Sequence, residues 1–170
     1  MSDPVQKVQE ALDALHYDGK IIHSDATIFT VNDASQAIGV TPGEILKSLI
    51  FMVDDQPWLV LMSGPNRVHS GKVKRLTKGH RVTMASPDYV YEQFGFKIGG
   101  VPPVGYPQQL PALVDEDLWN YETVWAAAGT DHAFFPISAE QLLSYVKGTR
   151  AVVKKEEAHP NEPPAQKEAQ

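Results

Sequence analysis

The chain has 170 residues, 42% of them apolar and 21% charged, with a net charge of −6 and no cysteine. That is one domain's length with enough apolar matter for a core, so wholesale disorder, collagen and coiled-coil rods are excluded. Disulfide scaffolds, thiolate nucleophiles, Fe–S clusters and Cys-bearing zinc sites go with the missing cysteine. The start, MSDPVQKVQE, has no apolar signal region, and the longest apolar runs (49–53 and 58–62) are far short of a membrane span. A soluble, cytoplasmic protein with no membrane partner is expected.

Val5, Val8, Leu12 and Leu15 recur at helical spacing, so a helix opens the chain behind the start signals Asp3 and Pro4 and ends before Gly19. Strands are expected at 20–23 and 27–31, then a short helix over 33–38 closed by Gly39. Thr41-Pro42-Gly43-Glu44 reads as a capping box with proline at the first helical position, starting a second short helix. The apolar runs 48–53 and 58–62 flank Asp54-Asp55-Gln56-Pro57, the pattern of a hairpin of two largely buried strands. Ser70 is expected to cap a helix with Val73 and Leu76 inward, basic residues outward and Gly79 ending it.

A strand at 81–85 follows, and Ser86-Pro87 opens a helix ending at Gly95. Residues 97–111 hold three glycines and four prolines in fifteen positions and are expected to be irregular. Strands follow at 112–114, 123–127 and 133–137. Ser138 and Gln141 form a capping box for a helix bearing Leu142, Tyr145 and Val146, stopped by Gly148, and a last strand covers 150–153. From Lys154 onward there is almost nothing to bury, so residues 1–153 read as one domain and 154–170 as a disordered tail. Short strands interleaved with short helices make this an α/β or α+β domain with a mixed, barrel-like sheet.

Charge is unevenly placed. No acid lies between Asp55 and Asp88, while Arg67, Lys72, Lys74, Arg75, Lys78 and Arg81 fall within fifteen residues. This is either a solvated face or a local phosphate-contacting patch, suited to one nucleic-acid end rather than a long duplex.

Familiar catalytic motifs fail. Gly64 and Gly71-Lys72 superficially resemble a P-loop, but the glycines are seven apart and Val73 replaces the magnesium-holding hydroxyl. No serine sits in a nucleophile elbow, and His16, His23, His69, His80, His132 and His159 show no metal-binding spacing, so no metal and no cofactor are expected. Two features remain. Lys47, in Ile45-Leu46-Lys47-Ser48-Leu49-Ile50-Phe51 where a helix runs into an apolar strand, must either snorkel to solvent or meet an anion. The segment from Ile98 to Gly105 pairs glycines that let a backbone approach a ligand with prolines that stiffen it, or else is an ordinary rigid connector.

These features, in this order, resemble the YbaK/ProX family of trans-editing aminoacyl-tRNA deacylases, also called the INS-like editing domain. The likeness runs from about Thr30 to Val153. It is carried by Thr30-Val31-Asn32-Asp33-Ala34, Ile38-Gly39-Val40, the Glu44–Phe51 stretch, Gly99-Gly100-Val101-Pro102-Pro103, Leu113-Val114-Asp115-Glu116-Asp117-Leu118 and Ala126-Ala127-Ala128-Gly129-Thr130. The sequence departs from the pattern at Thr130-Asp131-His132, where many relatives carry a small residue and asparagine.

The resemblance implies a compact mixed-sheet fold that hydrolyses the ester joining a wrong small amino acid (alanine, cysteine, serine or threonine) to its tRNA. It implies Lys47 as the catalytic residue, anchoring a terminal phosphate or stabilising developing negative charge. It implies Ser48, Gly99, Gly100, Pro103, Gly129 and His132 as the substrate-binding set, with glycine N–H groups at 99–100 holding the carbonyl. His132 would contact the terminal nucleotide or simply be satisfied at a strand start. Arg67, Lys72, Lys74, Arg75, Lys78 and Arg81 would then meet the tRNA backbone. The acidic body suggests weak intrinsic tRNA affinity and help from a synthetase or elongation factor. A binding module for tRNA ends or a synthetase without chemistry, and a regulatory protein for free amino-acid-like ligands, are the competing readings.

Overall fold

A computed structural model of the chain describes residues 3–25, 28 and 30–156. Helix α1 (Pro4–Ala14) opens as expected: the Asp3 carboxylate accepts the Val5 N–H, and Val8 and Leu12 are buried. Strand β1 is only Ile22–His23. Of the strand expected at 27–31, the described residues Ile28, Thr30 and Val31 form none. Thr30 is instead the N-cap of α2 (Val31–Ile38), joined to Asp33 in a reciprocal capping box, while residues 26, 27 and 29 lie outside the described residues. The Thr41–Glu44 box also forms, but it encloses only a 3-10 turn, Pro42–Glu44, because Ile45 is already extended. Lys47 therefore stands inside strand β2 (Leu46–Val53), not at a helix end.

β2 and β3 (Gln56–Ser63) pair antiparallel from Leu46–Ser63 to Val53–Gln56. Asp54 and Asp55 make the turn at φ 50° and 70°, the mirror-type geometry whose twist suits a hairpin. The Asp54 carboxylate, besides turning the chain, accepts the N–H groups of His80 at 2.9 Å and Arg81 at 2.8 Å. Helix α3 (Ser70–Thr77) is capped by His69, whose Nδ1 accepts the Lys72 N–H, rather than by Ser70. Val73 is fully buried but Leu76 stays 43% exposed, contrary to expectation. A two-turn helix presents little surface to the sheet, and Val73 occupies it.

β4 (Val82–Met84) and α4 (Pro87–Phe94, capped by Ser86) follow, then irregular chain to β5 (Ala112–Asp115). After a 3-10 turn, Glu116–Asn120, come β6 (Val124–Ala127), β7 (Ala133–Ile137), α5 (Ala139–Val146) and β8 (Thr149–Ala151). Only half of the expected box at α5 forms, since Gln141 extends its side chain forward to the Tyr145 hydroxyl at 2.8 Å.

The strands make two sheets: β1-β7-β6, and β4-β2-β3-β5-β8 with parallel pairing at β3–β5 and β5–β8. The class is α+β, but the sheet is not closed into a barrel. The two sheets meet through one isolated bridge, Ile45 to Trp125, which is too little to seal them. The main core lies between the sheets, built from residues such as Leu46, Ile50, Leu61, Phe96, Val114 and Phe135. A second cluster, with Phe51, Val53, Val60, Met62 and Val73, fills the other face of the larger sheet beneath α3.

Lys154 to Glu156, read from composition as the start of a tail, are seated. Lys154 forms an antiparallel bridge with Val68, Lys155 donates its N–H to the Arg67 carbonyl at 2.7 Å, and Glu156 pairs with Lys72 at 3.0 Å. Residues 157–170 lie outside the described residues. The anchor for this return is Asp115, wholly buried, whose carboxylate accepts the N–H groups of Asp117, Val153 and Lys154. Asp115→Ala strands those donors and is expected to cost about 3 kcal/mol, read as a lowered urea midpoint at unchanged m-value.

Candidate functional site

The site begins with an unfinished strand pairing. β4 covers only Phe51, Met52 and Val53 of β2, and the Ile45–Trp125 bridge covers the other end. Between them no strand among the described residues pairs with the edge of β2. A cavity of about 380 Å³ occupies the gap, lined there by Leu46, Lys47, Ser48 and Leu49. Ile28, Val31 and Ala34 wall it on one side, and Met84, Phe96, Ile98 and Gly99 on another. Its size and mainly apolar walls with a few polar groups are those of a small-ligand site.

Ladder geometry then sorts the polar groups. The Ile45 carbonyl accepts from Gly64 on the β3 side, and the Ile50 carbonyl accepts from Ala85 on the opposite side. Alternation along the strand places the N–H and C=O of Ser48 on the open edge, away from β3. The Ser48 hydroxyl is buried and has no hydrogen-bond partner among the described residues. An unpaired buried hydroxyl is destabilising, and this one belongs to a residue of the cavity lining.

Lys47 projects on the opposite face from Ser48, the face that carries Leu49, Phe51 and Val53. Its Nζ is part-buried and donates to the Asn66 carbonyl. Among the described residues no ion pair includes it. Burial first, and the neighbouring Arg67 charge second, lower its pKa below the ordinary lysine value. An ammonium has three donors, and a neutral carbonyl uses one. The two alternatives left open for Lys47 thus resolve into a third arrangement: neither fully snorkelled nor paired with an anion, it is held by a backbone carbonyl with donors to spare.

Of the other expected residues, Gly99 lines the cavity with Ser48. Gly100 does not; its N–H donates to the Lys97 carbonyl at 2.9 Å and so is committed within its own turn. A Cβ there would fall 2.6 Å from Thr130 Cα and 2.8 Å from the Gly129 carbonyl, so glycine lets the 97–101 loop lie on the 129–130 backbone. Gly129, at φ +101°, leans in turn on the first residue of α1, with the Pro4 carbonyl 2.6 Å from where a Cβ would be. These glycines are supports rather than walls. Pro103 is buried behind the loop, its carbonyl accepting from Gln109. His132 is also outside the lining. Its Nδ1 lies 3.2 Å from the Ser24 carbonyl and its Nε2 3.4 Å from Asp131.

The basic run divides. Arg67, Lys74, Arg75, Lys78 and Arg81 are exposed, whereas Lys72 is tied to the Lys154 carbonyl at 2.8 Å and to Glu156. Two residues outside the expected site set matter here. Asn66, which holds Lys47, donates its side-chain N–H to Asp117 at 2.8 Å across a separation of 51 residues. Asp117 accepts Lys154 Nζ on the same oxygen at 2.6 Å. Burial pushes the Asp117 carboxyl up, but the Lys154 and Asn66 hydrogen bonds outweigh it and leave the group below its ordinary value. Among the described residues no group of three or more His, Asp or Glu is placed to hold a metal ion, and no helix is long and apolar enough to cross a membrane.

Comparison with known proteins fits this geometry. The model of the aminoacyl-tRNA editing domain family matches residues 25–145. The chain is 33% identical over 117 residues to the uncharacterized protein YwhH of Bacillus subtilis (strain 168), covering 68% of this chain and 74% of that one. It is 30% identical over 86 residues to the proline–tRNA ligase of Geobacillus sp. (strain WCH70), covering 51% of this chain but only 15% of the ligase. A crystal structure of a protein proposed as a trans-editing enzyme for prolyl tRNA synthetase superposes with a TM-score of 0.85 at 40% identity, covering 92% of this chain and 99% of that one.

Ser48 supplies a test of the cavity independent of any assay of turnover. Ser48→Ala removes an unsatisfied buried oxygen, so its melting temperature is expected to equal or exceed that of the parent. A clear drop in a thermal scan would show instead that the hydroxyl serves the fold.

Proposed function

The chain belongs to the aminoacyl-tRNA editing domain family, and from that premise we propose that it is a trans-editing deacylase. In this reading it hydrolyses the ester of tRNA mischarged with a small amino acid of the alanine, cysteine, serine and threonine class, supplementing prolyl-tRNA synthetase. The observation that carries the proposal is Lys47, a residue of the cavity lining whose part-buried ammonium donates its hydrogen bond to a neutral carbonyl. The likeness to editing relatives supports the same reading.

The chemistry asks little of the protein. An aminoacyl ester is already activated, so the site has to place water and substrate and stabilise the oxyanion that forms at the carbonyl. Water adds to the carbonyl carbon, the bond to the ribose oxygen breaks, and that oxygen takes a proton as the free amino acid leaves. The proton traffic runs through the substrate's own neighbouring ribose hydroxyl, so no His–Ser or Cys–His pair is needed.

Lys47 supplies positive charge to the developing oxyanion with its spare donors. Ser48, with its unpaired hydroxyl and edge-facing N–H, holds the aminoacyl group. Exposed Arg67 beside Lys47, with Lys74, Arg75, Lys78 and Arg81, meets the backbone phosphates of the tRNA end. The apolar walls limit side-chain size, which suits removal of residues too small for a synthetic site to reject. As a domain the reading covers residues 1–153, with 154–156 as its last anchor.

The test is a deacylation time course over tRNAs mischarged with alanine, serine, threonine and cysteine, for wild type and Lys47→Ala. Hydrolysis of at least one ester is expected, reduced about 100-fold or more by the substitution. Intact activity in the variant overturns the role of Lys47; tRNA binding without hydrolysis of any ester assigns a binding module instead. The pH profile adds a check with a definite sign. Burial and Arg67 both disfavour the ammonium, so the enzymatic rate, corrected for spontaneous hydrolysis, falls with rising pH at an apparent pKa below the 10.5 of an ordinary lysine.

A further inference from the structure

We propose that Asp117 is a positioning residue for Lys47, acting through Asn66. The proposal rests on the reading of Lys47 as the cation of the reacting site. Asn66 makes two contacts of different kinds: its side-chain amide donates to Asp117 at 2.8 Å, and its backbone carbonyl accepts the Lys47 ammonium. Fixing the side chain fixes the peptide that carries the carbonyl. Asn66 lies in the connection between β3 and α3, where its N–H closes a turn onto the Ser63 carbonyl at 3.0 Å and its side chain reaches away to Asp117.

Asp117 can hold it because it is itself held from three directions. Its N–H donates to the buried Asp115 carboxylate, its position is set by the 3-10 turn after β5, and Lys154 binds the same Oδ2 that accepts from Asn66. The 67–69 backbone is then laced to the returning chain, His69 N–H to the Val153 carbonyl and Lys155 N–H to the Arg67 carbonyl, each at 2.7 Å. The tether therefore runs from the parallel half of the large sheet into the one side chain whose charge the reaction needs. A long lysine side chain has four rotatable bonds, and holding one donor at a fixed carbonyl restricts where the other two reach.

The experiment compares Asp117→Ala, Asp117→Asn and Asn66→Ala with wild type and Lys47→Ala, using the mischarged tRNA that the wild type hydrolyses. Alanine at 117 removes both the charge and the acceptor, whereas asparagine removes the charge but keeps an acceptor for Asn66. Asn66→Ala cuts the same link from its other end, leaves the Asp117–Lys154 pair in place and still has a backbone carbonyl. It keeps the proposal testable if Asp117→Ala fails to fold.

We expect Asp117→Ala and Asn66→Ala to lower kcat about tenfold or more with KM within about twofold, and Asp117→Asn to restore most of it. In the free protein, NMR titration of the Lys47 side chain is expected to show a lowered midpoint in Asp117→Ala and Asn66→Ala, since the ammonium loses a well-aimed acceptor, and a near-parental one in Asp117→Asn. Equal effects of alanine and asparagine at 117, in rate and in titration, would overturn the tether in favour of a plain charge effect. Unchanged kcat in the two alanine variants would overturn it outright. Should Lys47→Ala remain active, the catalytic reading of Lys47 fails, while the titration still decides by itself whether Asp117 and Asn66 hold the side chain.

Discussion

Everything the site does follows from a strand that is paired on one side for its whole length and on the other for less than half of it. β2 keeps eight continuous partners in β3, but β4 stops after three residues and the second sheet is bridged only at Ile45, just before β2 begins. A complete ladder would leave no room for a ligand beside Ser48, and a missing ladder would leave no stable strand. The segment after α4 then closes the gap with Phe96, Ile98 and Gly99, seated on the 129–130 backbone, which itself lies against the start of α1. The cavity is thus bounded by parts far apart in the chain.

Within that frame the two polar residues of interest are adjacent in sequence and opposite in direction, as neighbours in a strand must be. Ser48 opens toward the unpaired edge; Lys47 points to the face beneath α3. That face is filled by Phe51, Val53, Met62 and Val73, so the ammonium is drawn out of water and given one carbonyl in return. The same surroundings that depress its pKa keep its field strong, since little solvent is present to screen it.

Much of the fold was legible in local signals. Helix starts at Asp3 and Ser86, the hairpin around Asp54-Asp55, and the irregular 97–111 segment all rest on chemistry within a few residues of each position. The failures share a cause. The strand carried through Thr30 and Val31, the inward Leu76 and the closed barrel were read from propensity or spacing where distant packing decides. In the site, Lys47 and the Gly99 loop could be picked out because a lysine in an apolar run and paired glycines are unusual locally. Asn66 and Asp117 could not, since each is an ordinary polar residue whose meaning lies in a partner 51 positions away. Gly100 and Gly129 belong to the same story: their presence is visible in the sequence, but their work as supports requires knowing what they touch.

The return of the chain at Val153 has a consequence for how the molecule comes into being. Lys72 binds the carbonyl of Lys154, 82 residues later, and β8 adds to the large sheet by parallel pairing with β5. Contacts of such long range form late, because closing the intervening chain must be complete before they repay it. During synthesis from the N-terminus, the apolar cavity walls and the hairpin bearing Lys47 can assemble while residues 153–155, which brace 67–69, are still to arrive. The charge at the site is thus aimed only at the end of folding, so a chain still emerging would carry the pocket before it carried the finished geometry.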